Sequence, residues 1–169
     1  MKPYLYILAV LLVGGGIGYY VGQRSAPKDQ MELGGQRAEQ NDRQKIQDII
    51  ERQIEAYKLH DSLLLFRDCT DSFVEINSNS GDSYGLSKAM ALYHDFFKSG
   101  KSVVVTIKII SIDVLGHSAL VKATYSKTSE VYEKEGVKGR VGEGIWLLSK
   151  PGNHWMINSY LWKEHFRDQ

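Results

Sequence analysis

The chain has 169 residues, with 21 Lys+Arg against 20 Asp+Glu and a formal net charge of +1. That length is one domain plus a small addition, and the charge balance excludes a nucleic-acid binder working through a basic field. A single cysteine, Cys69, excludes an intramolecular disulfide and a cysteine zinc cluster, while 10 Tyr, 5 Phe and 3 Trp demand burial and exclude disorder over most of the length.

Pro3–Gly22 is free of charge and is closed by Lys2 and Arg24. At 1.5 Å per residue the run is roughly 30 Å long, about the thickness of a bilayer's hydrocarbon. A cleaved signal peptide is the rival reading, but only cuts inside the glycine run, such as after Gly18 with Gly16 at −3, satisfy its small-residue rule. Tyr4 and Tyr6 at one edge, and Tyr19 and Tyr20 at the other, resemble an aromatic belt. Gly14, Gly18 and Gly22 form a stripe on which two helices could meet. The expectation is a single-pass anchor at 1–22, contacting the membrane through residues 3–22. Lys2 against Arg24, Lys28 and Arg37 gives almost no charge bias, and a short basic N-terminus before one apolar segment favours an extracytoplasmic (periplasmic-side) domain.

Residues 23–40 turn to Gln, Gly, Ala, Lys and Glu around Pro27 and Gly34-Gly35, and read as a flexible linker. The body is expected at 41–169. Asn41 with Gln44 resembles a capping box, and Ile46, Ile49, Ile50, Ile54 and Tyr57 follow at helical spacing. Ser62–Phe66 is a second short helix. Ser72–Asn77 is a strand ending in a Ser-Asn-Ser-Gly-Asp turn, and Ser87 opens a helix that runs to Ser99 and stops at Gly100.

Beyond Gly100 the period falls to two. Ser102–Val114 is long enough that it must bend or carry a bulge. Ala119–Tyr132, Arg140–Ser149 and His154–Trp162 follow, separated by glycine-containing turns. The fold class is α+β, with helices packed on a strongly curved antiparallel sheet.

This order is similar to the nuclear transport factor 2-like superfamily, and most resembles its SnoaL-like and ketosteroid isomerase-like branch. The resemblance rests on Ala-Tyr-Lys-Leu-His-Asp (56–61), Leu65-Phe66, Phe73-Val74-Glu75-Ile76, Gly85 and Phe96-Phe97. Gly144-Ile145-Trp146-Leu147 and Gly-Asn-His-Trp-Met-Ile (152–157) complete it, over about residues 41–165. It implies a cone-shaped pocket between helices and concave sheet, and a homodimer. An aromatic-lined cone of this kind is expected to draw on Tyr57, Tyr84, Trp146 and Tyr160 and to hold an apolar small molecule.

The resemblance places a general base near Ile76 and a phenolic donor near Gln53, and neither residue can do that chemistry. Glu75 is one position away, which in a strand means the opposite face, so it is expected to face solvent and is a weak catalytic candidate. Glu143 is a second, provided its face lines the cavity. The five histidines have no ligand spacing, so no metal is expected, and nothing in the sequence calls for a cofactor.

Cys69 lies beside Asp68 and Asp71 and has no basic neighbour in sequence to make it a thiolate. The reading is a membrane-tethered binding or protein-interaction module without a complete catalytic set. The alternatives are a small SnoaL-like isomerase, dehydratase or hydrolase, or a structural part of a cell-envelope assembly; type IV secretion channels contain a component resembling this layout. Apolar residues on both faces of Ser102–Val114 and of the final strand point to a homodimer through the sheet.

Overall fold

The computed structural model describes residues 28–99, 103–129 and 139–167. The expected anchor at 3–22 lies outside the described residues, among which no helix is long and apolar enough to cross a membrane. Two units divide the chain, 1–38 and 39–169, and the sheet belongs to the second.

Helix α1 spans Lys28–Leu59. It corrects two expectations: residues 28–40 are helical rather than a flexible linker, and Asn41 lies inside the helix rather than capping it. No proline interrupts 28–59, and Glu, Gln, Arg and Ala are good helix formers, so the Gly34-Gly35 pair costs propensity without ending the helix. Ile46, Ile49, Ile50 and Ala56 are buried on the sheet. Ile54, expected on that face, is only half-buried, because Gln53 and Ala56 take the row that meets the sheet. The helix ends at His60, whose φ of 54° turns the chain left-handed. Asp61 then caps α2 (Ser62–Phe66), its carboxylate accepting from the backbone N–H of Leu63 and Leu64.

Strand β1 (Cys69–Asn77) pairs with the short β2 (Ser83–Gly85), which leads into α3 (Leu86–Lys98). Gly85, not Ser87, holds the N-cap position of α3. β3 (Val104–Leu115), β4 (Ser118–Thr128), β5 (Arg140–Ser149) and β6 (Met156–Phe166) follow as an antiparallel series. The sheet order is β2-β1-β6-β5-β4-β3. It is mixed rather than wholly antiparallel, because β6 returns beside β1 in the parallel sense after the long excursion through α3 and three strands.

Two single-residue bulges set which side chains reach the core. In β3, Ile109 pairs with Ala123 and Ser111 with Lys122, leaving Ile110 as the extra residue. In β6, Leu148 pairs with Ile157 and Leu147 with Ser159, leaving Asn158 extra. Each bulge shifts the alternation by one. Val105, Ile107 and Ile109 therefore face inward before the break and Ile112 after it, while Ile110 is 64% exposed. In β6, Trp155 and Ile157 face inward before the break and Tyr160 and Trp162 after it. The apparent two-faced apolar pattern is thus largely two one-faced segments joined out of phase. This corrects the argument that both faces of these strands need covering.

Candidate functional site

One inward row of the sheet runs Tyr84, Glu75, Tyr160, Trp146 and Val121, each paired with the next across β2, β1, β6, β5 and β4. Trp146 stacks on Tyr160 with ring centroids 4.6 Å apart. Its indole lies over Gly144, where a Cβ would come within 2.7 Å of the ring. The Tyr125 phenol likewise crosses Gly142, to donate to the Lys163 carbonyl and to Glu164 Oε2. Two glycines on β5 thus make room for two rings.

Opposite the row, α1 supplies Gln53 and Tyr57 and α3 supplies Tyr93 and Phe96. The enclosed space is a funnel. An inner chamber of about 30 Å³, lined by Gln53, Tyr57, Phe66, Glu75, Trp146 and Tyr160 among others, has room for about one or two waters. An outer vestibule of about 270 Å³ is lined by Tyr84, Leu92, Phe96, Val103, Trp162 and Glu164. Tyr57, Glu75, Tyr93 and Lys127 wall both spaces.

Glu75 corrects the expectation that it faces solvent. It is 4% exposed and sits where the chamber meets the vestibule. Trp162 Nε1 donates to its Oε1 at 2.7 Å, and Tyr93 Oη donates to the same oxygen at 3.2 Å. Burial holds the Glu75 carboxyl above its ordinary range, against the two hydrogen bonds and the Lys127 charge. Tyr93 and Tyr160 are pushed well up, chiefly by burial, and stay neutral donors.

Beside them Glu164 bridges Lys127 Nζ at 3.0 Å and Arg140 Nη1 at 2.6 Å. Burial opposes ionisation there, but the two cations outweigh it and hold Glu164 low. Lys127 also lies over the rings of Tyr125 and Trp162, at 5.0 and 5.3 Å from their centroids.

The other site candidates divide cleanly. Tyr57, Trp146 and Tyr160 line the inner chamber, and Tyr57 and Tyr84 line the vestibule. Glu143 is exposed on the outer face of β5, because the opposite phase carrying Gly142, Gly144 and Trp146 points inward; it does not reach the funnel. Ile76 points away with it. Gln53 is inside, but its amide is engaged: Oε1 accepts from Trp146 Nε1 at 2.9 Å and Nε2 donates to the Leu65 carbonyl at 3.4 Å.

Sequence reasoning missed Tyr93, Lys127, Trp162 and Glu164 as site residues. The phase of β4, in which Ala119, Val121 and Ala123 precede Tyr125 and Lys127, is the signal that could have found Lys127. Cys69 is buried, and desolvation, followed by the Asp68 and Glu75 charges, pushes its thiol up to about 12. Among the described residues no group of three or more His, Cys, Asp or Glu side chains is placed to hold a metal.

No family model and no curated protein sequence matches the chain. Solved structures do. An NTF2-like protein with a cystatin-like fold from Novosphingobium aromaticivorans aligns with a TM-score of 0.67 at 14% identity, covering 82% of this chain and 91% of its own. An NTF2-like protein of unknown function from Shewanella oneidensis gives 0.61 at 16% identity, over 71% and 97% of the two chains. A ketosteroid isomerase-like protein from Erwinia carotovora atroseptica gives 0.56 at 16% identity, over 71% and 93%. At these identities the likeness is one of architecture: the chain has the NTF2-like, or cystatin-like, α+β fold.

Proposed function

We propose that residues 39–169 form a small-molecule-binding domain whose site is the funnel. Glu75 is its polar anchor and the aromatic walls are its apolar bed. The observation that carries this reading is Glu75 itself, a carboxylate 4% exposed at the floor of a vestibule of about 270 Å³. A fold gains nothing in stability from burying a carboxylate in an aromatic cavity, so a recognition role accounts for it better than packing does. A fragment screen by protein-observed NMR tests it. Binders should shift the Trp162 indole and Tyr93 resonances, and a screen without such shifts would overturn the reading.

A second reading is proton transfer of the SnoaL-like or ketosteroid isomerase-like kind. It is favoured by the convergence of Glu75, Tyr93 and Lys127 on one cavity. A carboxyl held above its ordinary range is a stronger base than an exposed carboxylate and can take and return a proton. Gln53, Tyr93 and Trp162 are already hydrogen-bonded within the site, so a developing oxyanion would have to exchange one of these bonds for its own. Deuterium exchange into a bound ketone, fast in the native protein and slow in Glu75→Gln, would establish it; equal rates would exclude it.

Three further proposals complete the reading. The uncharged run Pro3–Gly22 supports a membrane tether. The short basic N-terminus before that single apolar run supports an extracytoplasmic domain. A homodimer through the outer sheet face is supported by a patch of Leu120, Leu147, Ile145, Leu161 and Ile76 in adjacent cross-strand rows.

A further inference from the structure

We infer that the ligand of the funnel is a cationic amine with an apolar or aromatic body, whose ammonium group pairs with Glu75 between the aromatic walls. This rests on the funnel being a ligand site and names the chemistry of what enters it. The geometry supplies three independent reasons.

The first is a missing counter-charge. An ionised carboxylate buried without a partner is costly. Among the described residues no salt bridge reaches Glu75, so an incoming cation would stabilise its charged form. Lys127 is the cation in the same cavity, and its ammonium is bonded to Glu164. Both hydrogen bonds to Glu75 come from neutral groups and end on Oε1. Lys127 and Arg140 both bond Glu164, so the Glu164 charge is met within the protein.

The second reason is the lining. Tyr57, Tyr84, Tyr93, Phe96 and Trp162 surround the vestibule, and aromatic faces attract ammonium groups, most strongly where water is excluded. Two of these rings already receive one from the protein: Lys88 lies 4.6 Å from the Tyr84 centroid, and Lys127 5.3 Å from that of Trp162. The third is size. About 270 Å³ is below the usual range for drug-sized ligands, which suits a small arylalkylamine.

The pairing has a signature that packing alone lacks. Tyr57 from α1, Cys69 on β1, Tyr84 from β2, Tyr93 from α3, Lys127 from β4, and Tyr160 and Glu164 from β6 surround Glu75. Burial pushes the Tyr93 and Tyr160 phenols and the Cys69 thiol upward, and Glu164 is held low by its cations. Glu75 is therefore the group positioned to lose a proton when an ammonium arrives, and that proton goes to solvent.

The test is calorimetry on the full-length chain with phenethylamine, the neutral phenethyl alcohol and the anionic phenylacetate. At pH 8 the amine should bind about tenfold or more tighter than the alcohol, and tighter still than phenylacetate. Amine affinity should rise from pH 5 to pH 8, by up to about tenfold per unit while Glu75 is protonated. The binding heat should vary with buffer ionisation enthalpy as a proton is released.

Glu75→Gln, whose amide oxygen can still accept from Trp162 and Tyr93, should abolish the amine's advantage over the alcohol and the pH dependence of amine binding. Alcohol or phenylacetate binding as tightly as the amine would overturn the cation preference while keeping the funnel as a ligand site. So would amine binding unaffected by Glu75→Gln. Failure of all three probes would overturn the preference, and a blank fragment screen alongside it would remove the site as well.

Discussion

Trp162 and Glu75 meet through a 2.7 Å hydrogen bond because Asn158 is inserted in β6. Without the bulge, the phase set by Trp155 and Ile157 would put Ser159 and Leu161 inside and turn Trp162 out. The extra residue restarts the alternation so that Tyr160, Trp162 and Glu164 face the funnel. One inserted residue thereby divides β6 into a core half and a site half.

The Glu75 carboxyl gives a pH dependence with a definite sign. Its folded-state pKa is raised, mainly by burial, so the native state holds the proton more tightly than the unfolded chain does. Its contribution to stability is complete below the ordinary glutamate pKa of about 4.3 and is lost as pH rises through the raised folded value. Glu75→Gln has no such loss. Urea midpoints of the two proteins should diverge in favour of Glu75→Gln as pH is raised from 4 to 8, and parallel curves would contradict the assignment.

Asp42 should behave in the opposite way. Its carboxylate accepts from Lys150 Nζ at 2.7 and 2.8 Å, tying α1 to the turn between β5 and β6. Burial alone would raise its pKa, but the Lys150 hydrogen bonds and the charges of Lys150 and Lys45 hold it low. Stability from this group is present above the ordinary aspartate pKa of about 3.9 and is lost as pH falls through the depressed value. Asp42→Asn should cost about 1–3 kcal/mol at pH 7, the scale of a charged hydrogen bond. That cost should shrink on acidification, which chemical unfolding at the two pH values would measure.

Much of the fold was legible because its signals are local. Arg140–Ser149 alternates cleanly, and its boundaries match β5. The length of the third strand called for a bend or bulge, and the bulge is there at Ile110. Its position was not legible, since Val103–Val105 and Ile109–Ile110 offer apolar residues in both phases. The face of Glu75 was hidden for a related reason. Val74 and Ile76 lie on the outer side and look like a core pair, while the donors that make burial of Glu75 tolerable come from Tyr93 and Trp162, 18 and 87 residues away. The extension of α1 before Asn41 was obscured by Gly34-Gly35, whose cost a long helix absorbs.

The core face of α1 is set by Ile50, which is wholly buried, rather than by Ile54. Ile50→Ala should cost about 2–5 kcal/mol, the range for a buried large-to-small change. Ile54→Ala should cost about 1 kcal/mol, because its side chain keeps part of its contact with water. Equal losses in guanidinium unfolding would mean that the helix is rotated from the observed face.

Gly144 should resist any side chain. A Cβ there would stand 2.7 and 2.9 Å from Trp146 ring carbons and 3.0 Å from Tyr160. The Trp146 ring is 1% exposed and its N–H is held by Gln53, so it has little room to yield. Gly144→Ala should cost about 1–3 kcal/mol through overpacking and alter the Trp146 near-ultraviolet signal. An unchanged spectrum with unchanged stability would mean that the ring can move aside.

The outer sheet face provides the last test. Ile145, Leu161 and Ile76 are neighbours across β5, β6 and β1, and Leu147 and Leu120 lie in the adjoining row. Leu147 is 40% exposed. Burying such a patch against a second copy would contribute about 25 cal/mol per Å² of apolar surface. The surrounding Thr124, Lys122, Glu143 and Lys163 form the polar rim that specific interfaces carry. A chain starting at Glu39 should therefore sediment as a dimer at tens of micromolar, and Leu147→Glu should make it a monomer with its unfolding midpoint nearly unchanged at low concentration. A native monomer at that concentration would rule out the sheet interface.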